Sequence, residues 1–377
     1  MIRILQMIGS LNVGGSQTLM LNIYRHIDRE RMQFDFLLDH PDETYFAEDV
    51  KALGARIYTM PSFRGTNAGE IRRDWNNFFY THPDYTVLHS HIRSYASLYL
   101  PVAKRHGLKT IIHSHNSSNG EGVTALVKNV LQRPLRDQAD ILMACSRDAG
   151  RWLFGERACQ SDRFIFLPNA VDTARFAPNA EKRRAMRREL GVEGRLVIGH
   201  VGRFHPQKNH SFLLDVFQRV HAQCPRSTLL LVGEGELQRD MVEKAVALGV
   251  AEDVIMTGNR NDVPELLGAM DRFAFPSLFE GLPVTLIEAQ AAGLPCLISD
   301  VITRDVDVSP LITRLPLGDA ELWAQELLRD RPRLDVRGDI IRAGFDVEAS
   351  AQMLCALYEK LDREAREAQR HKGEYRG

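Results

Sequence analysis

The stretch RFAFPSLFEGLPVTLIEAQAAGLPCLIS, residues 272–299, holds a complete structural repeat. Residues 272–275 read as a short apolar strand. A glycine-containing loop follows, then a helix over 283–292 and a second strand over 295–299. Pro283 suits a helix start, where its missing N–H is not needed. Gly293 and Pro295 suit the helix end. Strand, loop, helix, strand is the repeat of a parallel sheet covered by helices.

The same alternation extends in both directions. At the beginning, residues 2–8 read as a strand, 9–15 as a glycine-containing loop and 18–27 as a helix. Further strands are expected over 34–38, 55–60, 87–90, 110–113, 141–145 and 164–167. The sequence PNAVD, residues 168–172, breaks the pattern. A second series starts with a strand over 196–201 and continues with strands over 228–232 and 254–257, with helices over 211–220, 237–248 and 264–269. Residues 347–370 read as a final helix. The expected fold is α/β: two facing, Rossmann-like, doubly wound parallel-sheet domains with an interdomain cleft. The hinge is placed within 168–180, and the domains over 1–172 and 173–357. Open α/β sheets bind ligands beyond the carboxyl ends of their strands.

Composition sets limits on function. A chain of 377 residues exceeds one ordinary core, and 44% hydrophobic with 26% charged residues suits a globular protein. The net charge of −1 gives no global reason to expect a nucleic-acid partner. No run of 18 apolar residues occurs, so no membrane-spanning helix is expected. The opening MIRILQMIGS reads as strand and loop rather than a signal peptide. Five cysteines, at 145, 159, 224, 296 and 355, form no CxxC pair, which suggests a reducing, cytoplasmic setting and no structural zinc.

Five features could carry chemistry. In the opening stretch, Glu280 lies in the loop and Glu288 eight residues on, in the helix. Free amides at the helix start suit a diphosphate, and a helical carboxylate can accept from vicinal hydroxyls. The plainer alternative is a helix start that favours acidic neighbours. The second feature is the pair Arg203 and Lys208, on the loop after the 196–201 strand, which suits phosphate oxygens. Alone it would read as two solvated cations. The third, Gly9 to Ser16, lacks GxGxxG spacing, so either a close ligand approach or a simple turn fits. The fourth is a set of histidines, His89, His91, His113 and His115, at two strand ends. No carboxylate or cysteine joins them at a ligand spacing, so no metal is expected. His115 is assigned to a substrate hydroxyl, and His113 is read as a buried, satisfied histidine. The fifth is the stripe Val123, Leu126, Val127, Val130 and Leu131, read as core-facing, with a membrane-surface helix as the alternative. Arg183, Arg184, Arg187 and Arg188 read as a solvated helix face.

With these loops in hand, the sequence resembles the family-4 glycosyltransferases, retaining enzymes of the GT-B fold, and in particular the branch of bacterial capsule and exopolysaccharide synthesis. The resemblance runs nearly end to end. It is carried by HSHN (113–116), ACSRDAGRWLFG (144–155), PNAVDTARF (168–176), GHVGRFHPQKNHSFLLDVF (199–217) and FPSLFEGLPVTLIEAQAAGLPCLISD (275–300). It implies that Arg203 and Lys208 hold a donor diphosphate and that Glu288 takes the ribose hydroxyls. Glu280 and His115 would stand at the reacting sugar. Gly15, Gly281, Leu282 and Arg260 complete the implied donor contacts, with the base beside residues 259–261, while Ser16 and His91 face the acceptor. The final helix, from about residue 358, would cross back onto the first domain. Two departures stand out. Gly14-Gly15-Ser16-Gln17 replaces the common Gly-Gly-Ala-Glu, and a Gly-Gly pair after Asp300 is missing.

The implied activity is transfer of a sugar from a nucleoside diphosphate sugar, UDP preferred, to a hydroxyl of a glycan or lipid-linked acceptor. Neither a metal nor another cofactor is expected. Peripheral contact with the inner face of the membrane is the implied role of a surface-lying 123–131 stripe. A nucleotide-sugar epimerase and a non-catalytic sugar-nucleotide-binding subunit are the alternatives.

Overall fold

The computed structural model describes residues 1–374 apart from 13, 41, 43 and 117–122, and leaves out the side chains of 123–125 and 372–374. It separates into two compact units, Met1–Ala170 with Val347–Gly377, and Val171–Asp346. The first holds a parallel sheet of β1 (Ile2–Gly9), β2 (Met32–Leu38), β3 (Ile57–Thr59), β4 (Val87–Ser90), β5 (Lys109–Ser114), β6 (Ile141–Ala144) and β7 (Phe164–Phe166). Its strand order is β3-β2-β1-β4-β5-β6-β7. The second holds β8 (Leu196–Val201), β9 (Ser227–Val232), β10 (Val254–Met256), β11 (Arg272–Phe275), β12 (Cys296–Ser299) and β13 (Ile312–Leu315). Their order is β10-β9-β8-β11-β12-β13. The doubly wound α/β reading of the sequence is what the chain adopts.

Strands buried on both faces explain the continuous apolar runs, since a parallel sheet is covered on each side. In β1, Leu5 and Met7 enter one core while Ile4 and Ile8 enter the other. The second of these cores receives the long helix Val347–Glu374 through Val347, Ala351, Leu354, Tyr358 and Leu361. That spacing puts all five on one stripe. Apolar contact therefore ties the helix to the first unit from Val347 onward, ahead of the expected start near residue 358.

Two sequence readings are corrected here. Arg183 and Arg187 are not a solvated face: both bond Asp271, and they cap the carbonyls of Gly268, Ala269 and Met270. Arg184 and Arg188 do face solvent. The helix Val123–Gln132 forms, but Leu126, Val127 and Val130 are exposed rather than core-facing. Helical periodicity shows that an apolar face exists, not what covers it.

Candidate functional site

Each sheet has one switch point, where neighbouring strands lead to opposite faces and their loops part. In the second unit this lies between β8 and β11, which are adjacent in the sheet. The loops after these strands are therefore neighbours, although more than 70 residues separate them. They are stitched together by Leu278 N–H donating to the Gln207 carbonyl (2.8 Å), Gln207 Nε2 to the Phe279 carbonyl (2.9 Å) and Asn209 Nδ2 to the Pro276 carbonyl (3.2 Å). Asn209 turns the chain with a left-handed φ of 56°, a conformation asparagine tolerates better than most residues. That turn delivers Lys208 to Glu280, Nζ to Oε1 2.6 Å. The ammonium also sits 4.8 Å from the centroid of the Phe275 ring.

The helix after this loop runs Val284–Ala291, with Pro283 as its cap residue. Gly281 and Leu282 leave the mouth open, since a side chain at Gly281 would meet nothing within 4 Å. Glu288 is half-buried, and burial pushes its carboxyl up to about 7, opposed by the smaller effect of the Arg175 charge. An unfolded glutamate titrates near 4.3, so the folded chain holds this proton more tightly. The sign follows: the stability from the protonated carboxyl is complete below about pH 4.3 and is lost as pH rises through 7. Glutamine imitates the protonated form. Glu288→Gln is thus expected to leave thermal stability nearly unchanged at pH 4 and to raise it by about 2–3 kcal/mol at pH 8. Melting curves at the two pH values check this, and a gain of equal size at both would remove the titration of Glu288 as its cause.

A cavity of about 500 Å³ opens along the loops after β8, β9 and β10, lined by Gly202, Arg203, Gly233, Glu234, Gly235, Asn259 and Arg260. Arg203 is exposed and has no carboxylate partner among the described residues. Arg260 differs from the sequence expectation of a ligand-directed cation. It is held by Asp262 and Glu189, whose hydrogen bonds raise its pKa further. The residues 233–235 escaped the sequence reading, although a GEG triplet directly after an apolar strand was the available signal. Glu234 accepts from Asn259 Nδ2 at 3.1 Å and so fixes the far wall.

In the first unit the switch point lies between β1 and β4. A cavity of about 350 Å³ sits there, lined by Gly15, Ser16, His91, Arg93, His115 and Lys128, among others. The helix Gly15–His26 begins three residues earlier than expected, which turns its first amides toward this end. The histidines meet because β4 and β5 are adjacent and both end here. His89, His91 and His113 are buried and His115 is partly so; His89 stacks on His91 at 4.3 Å and His91 on His115 at 5.1 Å, while His113 lies tilted against His115 at 4.0 Å. Desolvation holds each below the ordinary histidine range, so the rings are neutral at pH 7.

Neutral rings fix the direction of a hydrogen-bond chain. Gln6 Oε1 can only accept, so His91 Nε2 donates to it (3.1 Å). His91 Nδ1 then accepts from His115 Nε2 (2.9 Å). Gln6 Nε2 donates to the Tyr358 hydroxyl (3.2 Å), which donates to His89 Nδ1 (2.6 Å). His115 Nδ1 is left as a buried lone pair with no hydrogen-bond partner among the described residues. His91, by contrast, has both nitrogens engaged and supports His115 instead of reaching a ligand of its own. His113 is buried as expected, but neither ring nitrogen has a well-formed hydrogen bond. Ring nitrogens of His89, His91 and His113 come within 4.8 Å of one another. Ser16 lies on the cavity wall, its hydroxyl donating to Gln17 Oε1 at 2.9 Å.

Comparison with known proteins gives a consistent result. Residues 13–175 match the family model described as Glycosyltransferase Family 4, and residues 195–329 the one described as Glycosyl transferases group 1. A putative glycosyltransferase, EpsF of Bacillus subtilis, is 34% identical over 368 residues, covering 94% of this chain and 96% of its own. The Escherichia coli UDP-Gal:alpha-D-GlcNAc-diphosphoundecaprenol alpha-1,3-galactosyltransferase is 35% identical over 139 residues, 36% of each chain. Among solved structures, Anabaena HepE in complex with UDP matches with a TM-score of 0.67 and 17% identity, over 98% of this chain and 100% of its own.

Proposed function

This chain belongs to the family-4 glycosyltransferases of the GT-B fold, and from that premise we propose that it transfers a sugar from a UDP-sugar to a hydroxyl of a glycan or lipid-linked acceptor, with retention, in cell-surface polysaccharide synthesis. Its enzyme class, a hexosyltransferase-type glycosyltransferase, follows from the family and its named relatives. The observation that carries the finer reading is the joining of Lys208 to Glu280 at the switch point of the second unit, with Lys208 packed against Gly202 of a glycine-walled cavity. The UDP named in the HepE structure and the UDP-sugar and diphosphoundecaprenol named for the E. coli relative support the choice of donor and acceptor class.

On this reading Lys208 and the exposed Arg203 offset the diphosphate as it leaves, helped by amides at the start of the Val284–Ala291 helix. Glu288 accepts from the ribose hydroxyls, and the base occupies the cavity beside Asn259. Glu280 orients the transferred sugar, and the family resemblance alone gives His115 and Gly15 of the first unit their roles toward the sugar and the diphosphate. A phosphate oxygen of the departing group takes the acceptor's proton, so the chain's own cations suffice without a metal. Glu280 and Glu288 belong to one loop-helix unit and do not flank a bond, which fits transfer better than two-carboxylate hydrolysis. No helix among the described residues is long and apolar enough to cross a membrane. Contact with the membrane face would fall to the exposed side of the Val123–Gln132 helix.

A thermal-shift screen over UDP-, GDP- and dTDP-sugars tests the donor assignment, since a ligand stabilises by RT ln(1 + [L]/Kd). UDP-sugars are expected to give the largest shift, and no response to any of them would refute the donor reading. Incubation with UDP-N-acetylglucosamine alone separates an epimerase, which would yield an epimer without acceptor. A purified enzyme that never releases nucleoside diphosphate would instead be a binding subunit.

A further inference from the structure

We propose that the second unit carries a separate effector site for a small phosphate-class anion, formed by Arg175, Arg183 and Arg333. A cavity of about 280 Å³ lies there, lined from the start of the Ala180–Glu189 helix, from the helix Val263–Ala269 and from Ala292 at the end of the Val284–Ala291 helix. It shares no lining residue with the 500 Å³ cavity that carries Arg203. Its volume holds a phosphate with a small body attached.

The charges around this cavity do not balance. Arg333 donates from Nη1 to the Gly268 carbonyl (2.7 Å) and from Nη2 to the Ala292 carbonyl (2.8 Å). Arg183 Nη1 donates to the same Gly268 carbonyl (2.6 Å), and its Nη2 to Asp271 (2.6 Å). Arg187 also uses Asp271, at 3.1 Å. Three guanidiniums therefore share one carboxylate. The carbonyls belong to two helix ends, each worth at most about half a negative charge, so roughly one positive charge is left over. Burial, with the Arg183 charge next, pulls the Arg333 pKa down to about 10. Its Nε is buried without a hydrogen-bond partner, so a donor is unspent as well as a charge. Arg175 is exposed, lines the cavity and has no carboxylate partner among the described residues. Glu265 is the one acidic residue of the lining, and it is taken by Lys182 at 2.8 Å. Two spare positive charges at one cavity fit a phosphate dianion, which arginine binds through paired N–H groups.

Arg175 links this cavity to the donor side, because its charge favours the ionised form of Glu288. An anion on Arg175 weakens that influence, and with it the hold of Glu288 on ribose hydroxyls. Occupancy is therefore expected to lower UDP affinity. That consequence rests on the donor reading; the site itself does not.

Calorimetry on the full chain at constant ionic strength tests this, with inorganic phosphate and glucose 6-phosphate as probes. Wild type is expected to bind one anion per chain. Tighter binding of glucose 6-phosphate would name a phosphomonoester as the ligand, and tighter binding of phosphate the free ion. Arg175→Gln should weaken binding by about tenfold or more. Gly268→Leu keeps every cation but fills open space, since a Cβ at this helical glycine meets nothing within 4 Å, and it should abolish binding. Neither change removes a helix cap, so melting curves should show both variants folded. Saturating UDP should weaken phosphate binding to a fixed limit, and phosphate should weaken UDP by the same factor. Failure of wild type to bind either probe overturns the proposal, as does unchanged affinity in both variants. Competition with UDP that never reaches a limit would put the anion among the donor cations and overturn it too. Binding with no mutual effect on UDP would refute the effector role. Loss of the UDP response in wild type, with phosphate still bound, would defeat the donor reading and leave the site standing.

Discussion

Replacement of Lys208 by alanine is expected to lower transfer by roughly 100- to 1000-fold, the loss typical of removing one preorganised charge from a reacting centre. Glu280→Gln should give a loss of similar order. Both side chains are largely sheltered from solvent and meet at 2.6 Å, so each holds the other in place. Their effects should therefore overlap instead of multiplying. The double variant is expected to lose little more than the worse single one. Steady-state kinetics with a defined acceptor measures this, alongside melting curves to show that the fold survives. If both single variants turn over like wild type, the site has been placed wrongly. Strictly additive losses would leave the site but deny the coupling.

Gly233→Ala is expected to be the most damaging single-methyl change in the second unit. Its backbone φ is +136°, a region L side chains rarely adopt. An added Cβ would also lie 2.4 Å from the Gly202 carbonyl oxygen, a backbone atom with no freedom to swing away. Two penalties thus fall on one residue, and a destabilisation of about 3 kcal/mol or more is expected. The strain would push on the loop that carries Arg203, so UDP affinity should fall as well. Gly235→Ala meets the Phe204 carbonyl oxygen at the same 2.4 Å and should behave similarly. Gly268→Ala is the control, because that glycine is helical and a Cβ there meets nothing within 4 Å. It should be neutral or slightly stabilising. Chemical denaturation ranks the three variants, and a Gly233→Ala protein as stable as the control would contradict the packing argument.

The sequence by itself determined the alternation of strands and helices, because local periodicity and the glycine and proline breaks dictate it. It also determined the family, since phrases such as PNAVDTARF and EGLPVTLIEA are contiguous. The residues worth watching were visible for the same reason: Glu280, Arg203, Lys208 and His115 follow strands, and Glu288 lies in the helix that follows one. Their partners were not visible. Strand order alone brings β8 beside β11 and β4 beside β5, and from that come the Lys208–Glu280 pair and the stacked histidines. Arg183, Arg187 and Arg260 looked like free cations because their carboxylates and carbonyl partners are brought to them by folding. The Val123–Gln132 helix looked core-facing because periodicity reveals an apolar face but not its neighbour. Tertiary structure decided these matters because ion pairing, burial and ring stacking depend on distances between residues far apart in the chain. Those distances are set by how the sheets are ordered.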